Sequence, residues 1–224
     1  VLEVIHDYVT TPAEQRAAHR SPLRRRTPVR LLLVRHAEPR GAKTLAEDGL
    51  TDRGRAQAAA LGIALLALAP SRVIASPTPR ATETAACAGL PFEVDPAFEK
   101  FNYGGGEVRE RHEASGPLWR PEDRAALDGE SLGEFHERVA RGLDSLIDHS
   151  ADGDTVVVIA HGGIIQVGMR YAWGLGASDP WLTEPATPLA SITEIEFGRP
   201  PPEATRPAVR IVRLGDSAHL AAVE

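Results

Sequence analysis

Two uninterrupted apolar runs, VRLLLVR at 29–35 and TVVVIA within DTVVVIAH at 154–161, constrain this chain more than anything else in it. A strand with apolar residues on both faces belongs inside a sheet that helices cover from either side. From Val29 onward the chain supplies those helices and further strands. LTDRGRAQAAALGIALLAL predicts a helix with Thr51 as N-cap and Asp52 in its first turn. SRVIAS predicts a short strand, RATETAACAGL a helix, and FEVD another short strand. SLGEFHERVARGLDSLIDH predicts a helix opened by a capping box of Ser131 and Glu134. GGIIQVGMRYAWG turns from the second apolar run into a helix. ASITEIEF alternates with period two and is expected to pair antiparallel with AVRIVRL across GRPPPEATRP. The expected fold class is α/β: a three-layer α/β/α sandwich with a mostly parallel central sheet and a C-terminal antiparallel hairpin.

Residues 1–28 read differently. They include AAHRSPLRRRTP, basic and without sustained periodicity, and are taken as an N-terminal extension to a domain spanning 29–224. Arg24, Arg25 and Arg26 read as a solvated charge run. A Gly-, Arg- and Pro-rich segment from Gly104 to Gly129 is too long for a simple connection, which suggests a lid or substrate loop. The composition, 42% apolar and 25% charged, is that of a soluble globular protein. A net charge of −6 argues against a general nucleic-acid or membrane-surface binder. Cys87 is the only cysteine, so an internal disulfide and a cysteine-based metal site are both excluded. With no secretory h-region, and with the longest apolar stretch (Ala58 to Pro70) too short to span a bilayer, a cytoplasmic location is expected.

Both apolar runs end in histidine, His36 and His161, the latter followed by two glycines. In an open α/β sheet, ligands bind at the carboxyl ends of the strands, so the two imidazoles are expected at one edge. A third strand, in SRVIASPTPRAT, leads to Arg80 at a helix start, where free N–H groups and the helix dipole attract anions. Arg35, Arg80 and the two histidines would then form a compact, positive pocket suited to a phosphoryl group, which forked guanidinium donors fit well. A zinc site needs three or four ligands, and the chain contains neither H-x-H nor H-E-x-x-H. His112, His136 and His149 lie in the long segment or on a helix. No metal is expected.

These motifs resemble the histidine phosphatase superfamily, which includes cofactor-dependent phosphoglycerate mutases and many small phosphatases. LLLVRHAE resembles the R-H-G/A-E signature, LTDRGRAQAAALG the L-T-x-x-G-x-x-Q-A helix, and VIASPTPRATETA the S-P-x-x-R-A-x-x-T-A segment. GESLGEFHERV matches the G-E-S helix start and VVVIAHGGII the second histidine. RIVRLGDSAHL resembles L-N-D-x-x-H-L, with Gly215 where Asn is usual. The resemblance implies that His36 is the nucleophile and forms phosphohistidine, and that Arg35 and Arg80 grip the phosphoryl oxygens. It also implies that His161 donates to them and that the Gly162 amide adds a donor.

Two departures bear on function. The family's general acid is a glutamate in L-x-E-x-x-x-G, and the corresponding stretch here is AFEKFNYGGGE. An ungapped match puts Lys100 at that position, with Glu99 one residue early and Glu107 where many members carry a second glutamate. Glu99 is the favoured acid, with Lys100 and Glu107 as alternatives. PRGAKTLAEDG does not match the Asn-containing stretch by which mutases hold phosphoglycerate, which favours a phosphatase. Arg40, Arg109, Arg111, His112 and Arg120 are candidates for selecting an acidic or sugar-like substrate, Glu107 for contacting it, and Trp119 for an apolar wall. The implied function is metal-independent hydrolysis of a small-molecule phosphomonoester, with no cofactor. The implied partner is a small phosphorylated metabolite, with neither nucleic acid nor membrane, and a homodimer is compatible with it. The alternatives are a phosphoprotein phosphatase or mutase, or a catalytically weak phosphate-binding regulatory module.

Overall fold

The apolar runs form the two middle strands of a six-stranded sheet. The computed structural model of the chain describes residues 27–41, 49–104, 118–198 and 207–223. Its strands are β1 (Val29–Arg35), β2 (Arg72–Ala75), β3 (Glu93–Val94), β4 (Thr155–Ala160), β5 (Ile192–Gly198) and β6 (Ala208–Asp216). Its α-helices are α1 (Asp52–Leu66), α2 (Pro79–Cys87), α3 (Leu132–Asp148) and α4 (Gly162–Ala172). The strand order is β3-β2-β4-β1-β5-β6. β3, β2, β4 and β1 run parallel, whereas β5 is antiparallel to both β1 and β6.

Successive residues of the central strands point to opposite layers, and the core divides accordingly. Leu31, Leu33, Val156 and Val158 pack with Phe135, Val139 and Leu143 of α3 and Ile164 of α4. Leu32, Val34, Val157 and Ile159 pack with Leu61 and Leu65 of α1 and Ala85 of α2. That division is the three-layer sandwich expected from the sequence. Thr51 caps α1, accepting a hydrogen bond from the Gly54 amide, and Ser131 and Glu134 close the capping box on α3.

β5 is buried on both faces despite its period-two pattern: every residue from Ile192 to Gly198 is buried. Arginines of the neighbouring strands cover the polar side. The Glu194 carboxylate accepts from Arg30 Nε and Nη2 at 2.8 and 2.6 Å and from Arg213 Nε at 2.7 Å, and Glu196 pairs with Arg210. The guanidinium stems supply the apolar cover while the carboxylates stay paired.

Gly215 explains a departure from the family pattern. Its φ of +62° lies in the left-handed region, where Gly and Asn are the favoured residues. A Cβ there would lie 2.5 Å from the Ala186 carbonyl oxygen, so in this chain glycine is the residue that fits.

The Arg24–Arg26 cluster, most of the 1–28 extension and residues 199–206 of the GRPPPEATRP loop lie outside the described residues. So does the part of the long segment holding Glu107, Arg109, Arg111 and His112. Among the described residues no helix is long and apolar enough to cross a membrane.

Candidate active site

The register of the central strands sets two histidines side by side. Arg35 pairs with Ala160 at the last rung between β1 and β4, so His36 and His161 are the next residue of each strand. The His36 amide donates to the Ala160 carbonyl at 2.8 Å, and the imidazole centroids are 5.2 Å apart, inclined by 61°. Both residues are buried.

The environment fixes which nitrogen of His36 carries the proton. Its Nδ1 lies 2.8 Å from the Ala37 carbonyl oxygen, which can only accept, so Nδ1 holds the hydrogen. In the neutral ring Nε2 then presents a lone pair, and Arg80 Nε donates to it at 3.1 Å. The Ala37 amide donates to Thr84 Oγ1 of α2 at 3.0 Å, which holds the chain just after His36 against that helix.

His161 is fixed by hydroxyl groups. Its Nε2 lies 2.8 Å from Ser76 Oγ and 3.2 Å from Thr78 Oγ1, both at the exit of β2, and its Nδ1 has no hydrogen-bond partner among the described residues. Burial pushes the His161 pKa well below its ordinary value, and the neighbouring His36 and the positive charges of Arg80, Lys100 and Arg35 push the same way. The ring is therefore neutral at physiological pH. Thr78 is the N-cap of α2 and His161 the N-cap of α4, and neither side chain caps its own helix. Two helix N-termini thus meet within one hydrogen bond of each other, and both dipoles favour an anion there.

Arg35 donates from Nη1 to the Thr187 carbonyl at 2.6 Å, while its buried Nε has no partner among the described residues. Burial lowers its pKa, Glu184 opposes that shift and Arg80 adds to it. A Cβ on Gly162 would lie at ordinary contact distance from Thr187 Oγ1 and the Arg35 guanidinium carbon, 3.6 and 3.8 Å, so the Gly162 backbone borders the same space.

His36, His161, Arg35, Arg80 and Gly162 are therefore gathered at one point, and the other expected residues within the described segments are not. Arg40 donates from Nε to the Leu50 carbonyl at 2.8 Å, and its charge bears on Glu83. Arg120 stacks over the ring of Trp119 at 4.6 Å. Glu99 is exposed and makes no side-chain hydrogen bond among the described residues, whereas the adjacent Lys100 is half-buried and its charge reaches His161. Arg138 of α3 clamps this stretch, donating to the carbonyls of Ala97 and Glu99 at 2.9 and 3.0 Å while paired with Glu130. No cluster of three or more potential metal ligands is found among the described residues.

Ser76 ends a strand that the sequence shows, but the contact of Thr78 with His161 depends on how the chain turns after it. Thr187 and Glu184 lie in a stretch without periodicity, and no sequence signal marks them. A second set of residues lies beside the first turn of α4, which follows His161. An aromatic-walled cavity of about 490 Å³ is lined by Phe101, Phe135 and Trp181, with Gly163 of α4 at one side. Arg170, fully buried near the end of α4, holds that wall. It donates to the carbonyls of Pro180, Gly176 and Asp179 at 2.8–3.0 Å and stacks over Trp181 at 4.7 Å. A larger cavity of about 820 Å³, bordered by Thr27, Val29 and Gly198, lies at the opposite end of the sheet, away from the histidines.

The histidine phosphatase superfamily (branch 1) family model matches residues 31–208. An acid phosphatase of Mycobacterium tuberculosis is 32% identical over 143 residues, which cover 59% of this chain and 70% of that protein. Among solved structures, the product of an open reading frame of M. tuberculosis aligns with a TM-score of 0.64 at 26% identity, over 83% of this chain and 96% of that one. A mycobacterial glucosyl-3-phosphoglycerate phosphatase aligns with a TM-score of 0.64 at 22% identity, over 82% of this chain and 96% of its own, and shares the fold.

Proposed function

Because the chain belongs to branch 1 of the histidine phosphatase superfamily, we propose that it is a metal-independent phosphatase that hydrolyses a small-molecule phosphomonoester through phosphohistidine on His36. The observation that carries this reading is the fixed tautomer of His36: Nδ1–H is held by the Ala37 carbonyl and the Nε2 lone pair faces Arg80. That geometry makes Nε2 a nucleophile beside a guanidinium suited to phosphoryl oxygens.

In the first step Nε2 attacks phosphorus in line, the P–N bond forms and the ester P–O bond breaks. The departing alkoxide takes a proton. In the second step water attacks phosphorus, the P–N bond breaks, His36 is regenerated and inorganic phosphate leaves. Arg35 and Arg80 stabilise the charge that spreads over the phosphoryl oxygens. Neutral His161 donates to one of those oxygens from Nδ1, the nitrogen that Ser76 and Thr78 leave without a partner. The amides at the start of α4, Gly162 first, add donors.

Three residues compete for the general-acid role. Lys100 is the one whose charge reaches His161, Glu99 is exposed next to it, and Glu107 lies outside the described residues. A cation in place of a carboxylic acid also supports a second reading, a phosphate-binding module with weak turnover. Turnover of a chromogenic phosphate ester in excess chelator separates the two. The test of the mechanism is rapid mixing with substrate. The wild type is expected to carry an acid-labile phosphoramidate on His36, and His36→Ala neither label nor turnover. Label retained in His36→Ala overturns the mechanism.

A further inference from the structure

The cavity beside the histidines has a composition that the phosphatase reading does not require. Phe101 stacks edge-on against Tyr103 at 4.9 Å and against Phe135 at 5.4 Å, and Trp181 lies 6.0 Å beyond Phe135. At the rim Trp119 is 42% and Leu182 73% exposed, large apolar surfaces left in water at the mouth of a pocket. Its volume of about 490 Å³ falls within the range of small-molecule sites.

The cavity reaches the first turn of α4, next to the phosphate site. Gly163 follows Gly162 in the first turn of α4, and a Cβ on it would lie 3.3 Å from the Phe135 ring, so the aromatic wall begins one residue past the donors. Glu184, on the rim, is near enough to influence Arg35, and Tyr103 near enough to be influenced by Arg80. An ester bound with phosphorus at His36 therefore has this cavity beside it to receive its alcohol portion.

Charge narrows the choice further. Among the described lining residues Glu184 is the one charged side chain. A carboxylate on the alcohol portion would meet Glu184, and no described lining residue is a cation that would compensate. The rings of Phe101, Trp119, Phe135 and Trp181 offer an aromatic group faces to pack on, beside the polar groups of Gln166 and Thr183. We propose that this enzyme selects phosphate esters of apolar, aromatic-bearing alcohols that carry no negative charge besides the phosphate. This rests on the phosphatase reading for its orientation, with phosphorus at His36.

The test pairs turnover with binding. 2-Phenylethyl phosphate and ethyl phosphate have alcohols of similar acidity, so their kcat/KM ratio reports the side group and not the leaving group. Binding of the matching phosphonates, which cannot be hydrolysed, is measured by titration calorimetry on the full chain together with 2-carboxyethylphosphonate. Burying a phenyl group is expected to favour the phenylethyl compound about 30-fold in both measurements. The carboxyethyl compound is expected to bind more weakly than ethylphosphonate. Trp119→Ala should cut the phenylethyl preference several-fold, and Trp119→Phe should retain most of it. A phenylethyl-to-ethyl ratio within twofold, tighter binding of the carboxyethyl compound, or an unaltered ratio in Trp119→Ala each overturns the proposal. Failure of all three phosphonates to bind overturns it along with the phosphatase reading. Absent turnover with the phosphonate preference intact sinks the catalytic reading alone.

Discussion

Glu194→Gln removes one charge from the sheet at nearly constant volume, and its cost follows from the geometry. In the wild type one carboxylate oxygen accepts Nε and Nη2 of Arg30 at 2.8 and 2.6 Å, and the other accepts Nε of Arg213 at 2.7 Å, with Nη2 also at 2.7 Å. Glutamine can serve one arginine with its oxygen, but its NH₂ group then faces the donors of the other. Hydrogen bonds to a charged group contribute about 1.5–3 kcal/mol, and an uncompensated buried charge costs more. The two arginines are 28% and 29% exposed, so water takes up part of the loss. We expect a destabilisation of about 2–4 kcal/mol, or roughly 5–15 °C in Tm for a domain of this size. Urea unfolding followed by circular dichroism measures it, and calorimetry checks the Tm.

The pH dependence has a definite sign. Burial alone would raise the Glu194 pKa, but hydrogen bonds from Arg30 and Arg213 overcome it and hold the carboxyl below its ordinary value. The folded state therefore binds this proton less readily than the unfolded chain. The stabilisation is complete above the unfolded value, about 4.3, and is lost as the pH falls through the folded one. The gap between wild type and Glu194→Gln should be constant from neutrality to mildly acid pH and narrow progressively below that. A loss under about 0.5 kcal/mol at neutral pH, or a gap that does not narrow as the pH falls below the unfolded value, refutes the reasoning.

Gly62→Ala should destabilise by about 1–3 kcal/mol despite alanine's better helix propensity, because its Cβ would lie 2.1 Å from the Ala88 carbonyl oxygen and force α1 away from the end of α2; thermal unfolding measures it. His161 should remain neutral through pH 6.5 in NMR titration, and inorganic phosphate should raise its pKa by adding negative charge beside it; an ordinary titration without phosphate refutes the burial account. Of Glu99→Gln, Lys100→Met and Glu107→Gln, the variant that removes the true acid should slow an alkyl ester ~10²–10⁴-fold while sparing a nitrophenyl ester, and steady-state kinetics on both esters identifies it. Activity should survive excess chelator and be inhibited by vanadate; loss on chelation with rescue by a divalent ion counts against a site whose positive charge comes from arginine.

The parts of the molecule legible in the sequence are those where one physical cause dominates. β1 and β4 are apolar on both faces, so their place in the sheet and the adjacency of the residues after them follow directly. Capping at Thr51 and Ser131 is a local matter of spacing, and it is found where the spacing puts it. β5 was legible as a strand but not in its burial, since its polar face is covered by arginines whose pairing register the sequence does not contain. The stretch around Glu99 shows a different limit. Asp95 caps a 3₁₀ turn over Pro96–Phe98, and where the chain leaves that turn decides whether residue 99 or 100 faces the histidines. An alignment without gaps cannot resolve a shift of one residue. Thr187, Glu184 and Trp181 meet the site only through long-range folding of an irregular segment.

The double attachment of α4 has a consequence for how this protein can diverge. His161 immediately precedes its first turn, while Arg170 near its end pins the segment that carries Trp181. Chemistry and recognition are thus mounted on one rigid rod, and a substitution that tilts or slides the rod disturbs both together. Variation that alters what is recognised without harming the reaction is channelled to the positions that the rod does not carry, Leu118 and Trp119 on one lip and Leu182 on the other. Those few sites are where relatives with the same reaction and different substrates should differ from this chain.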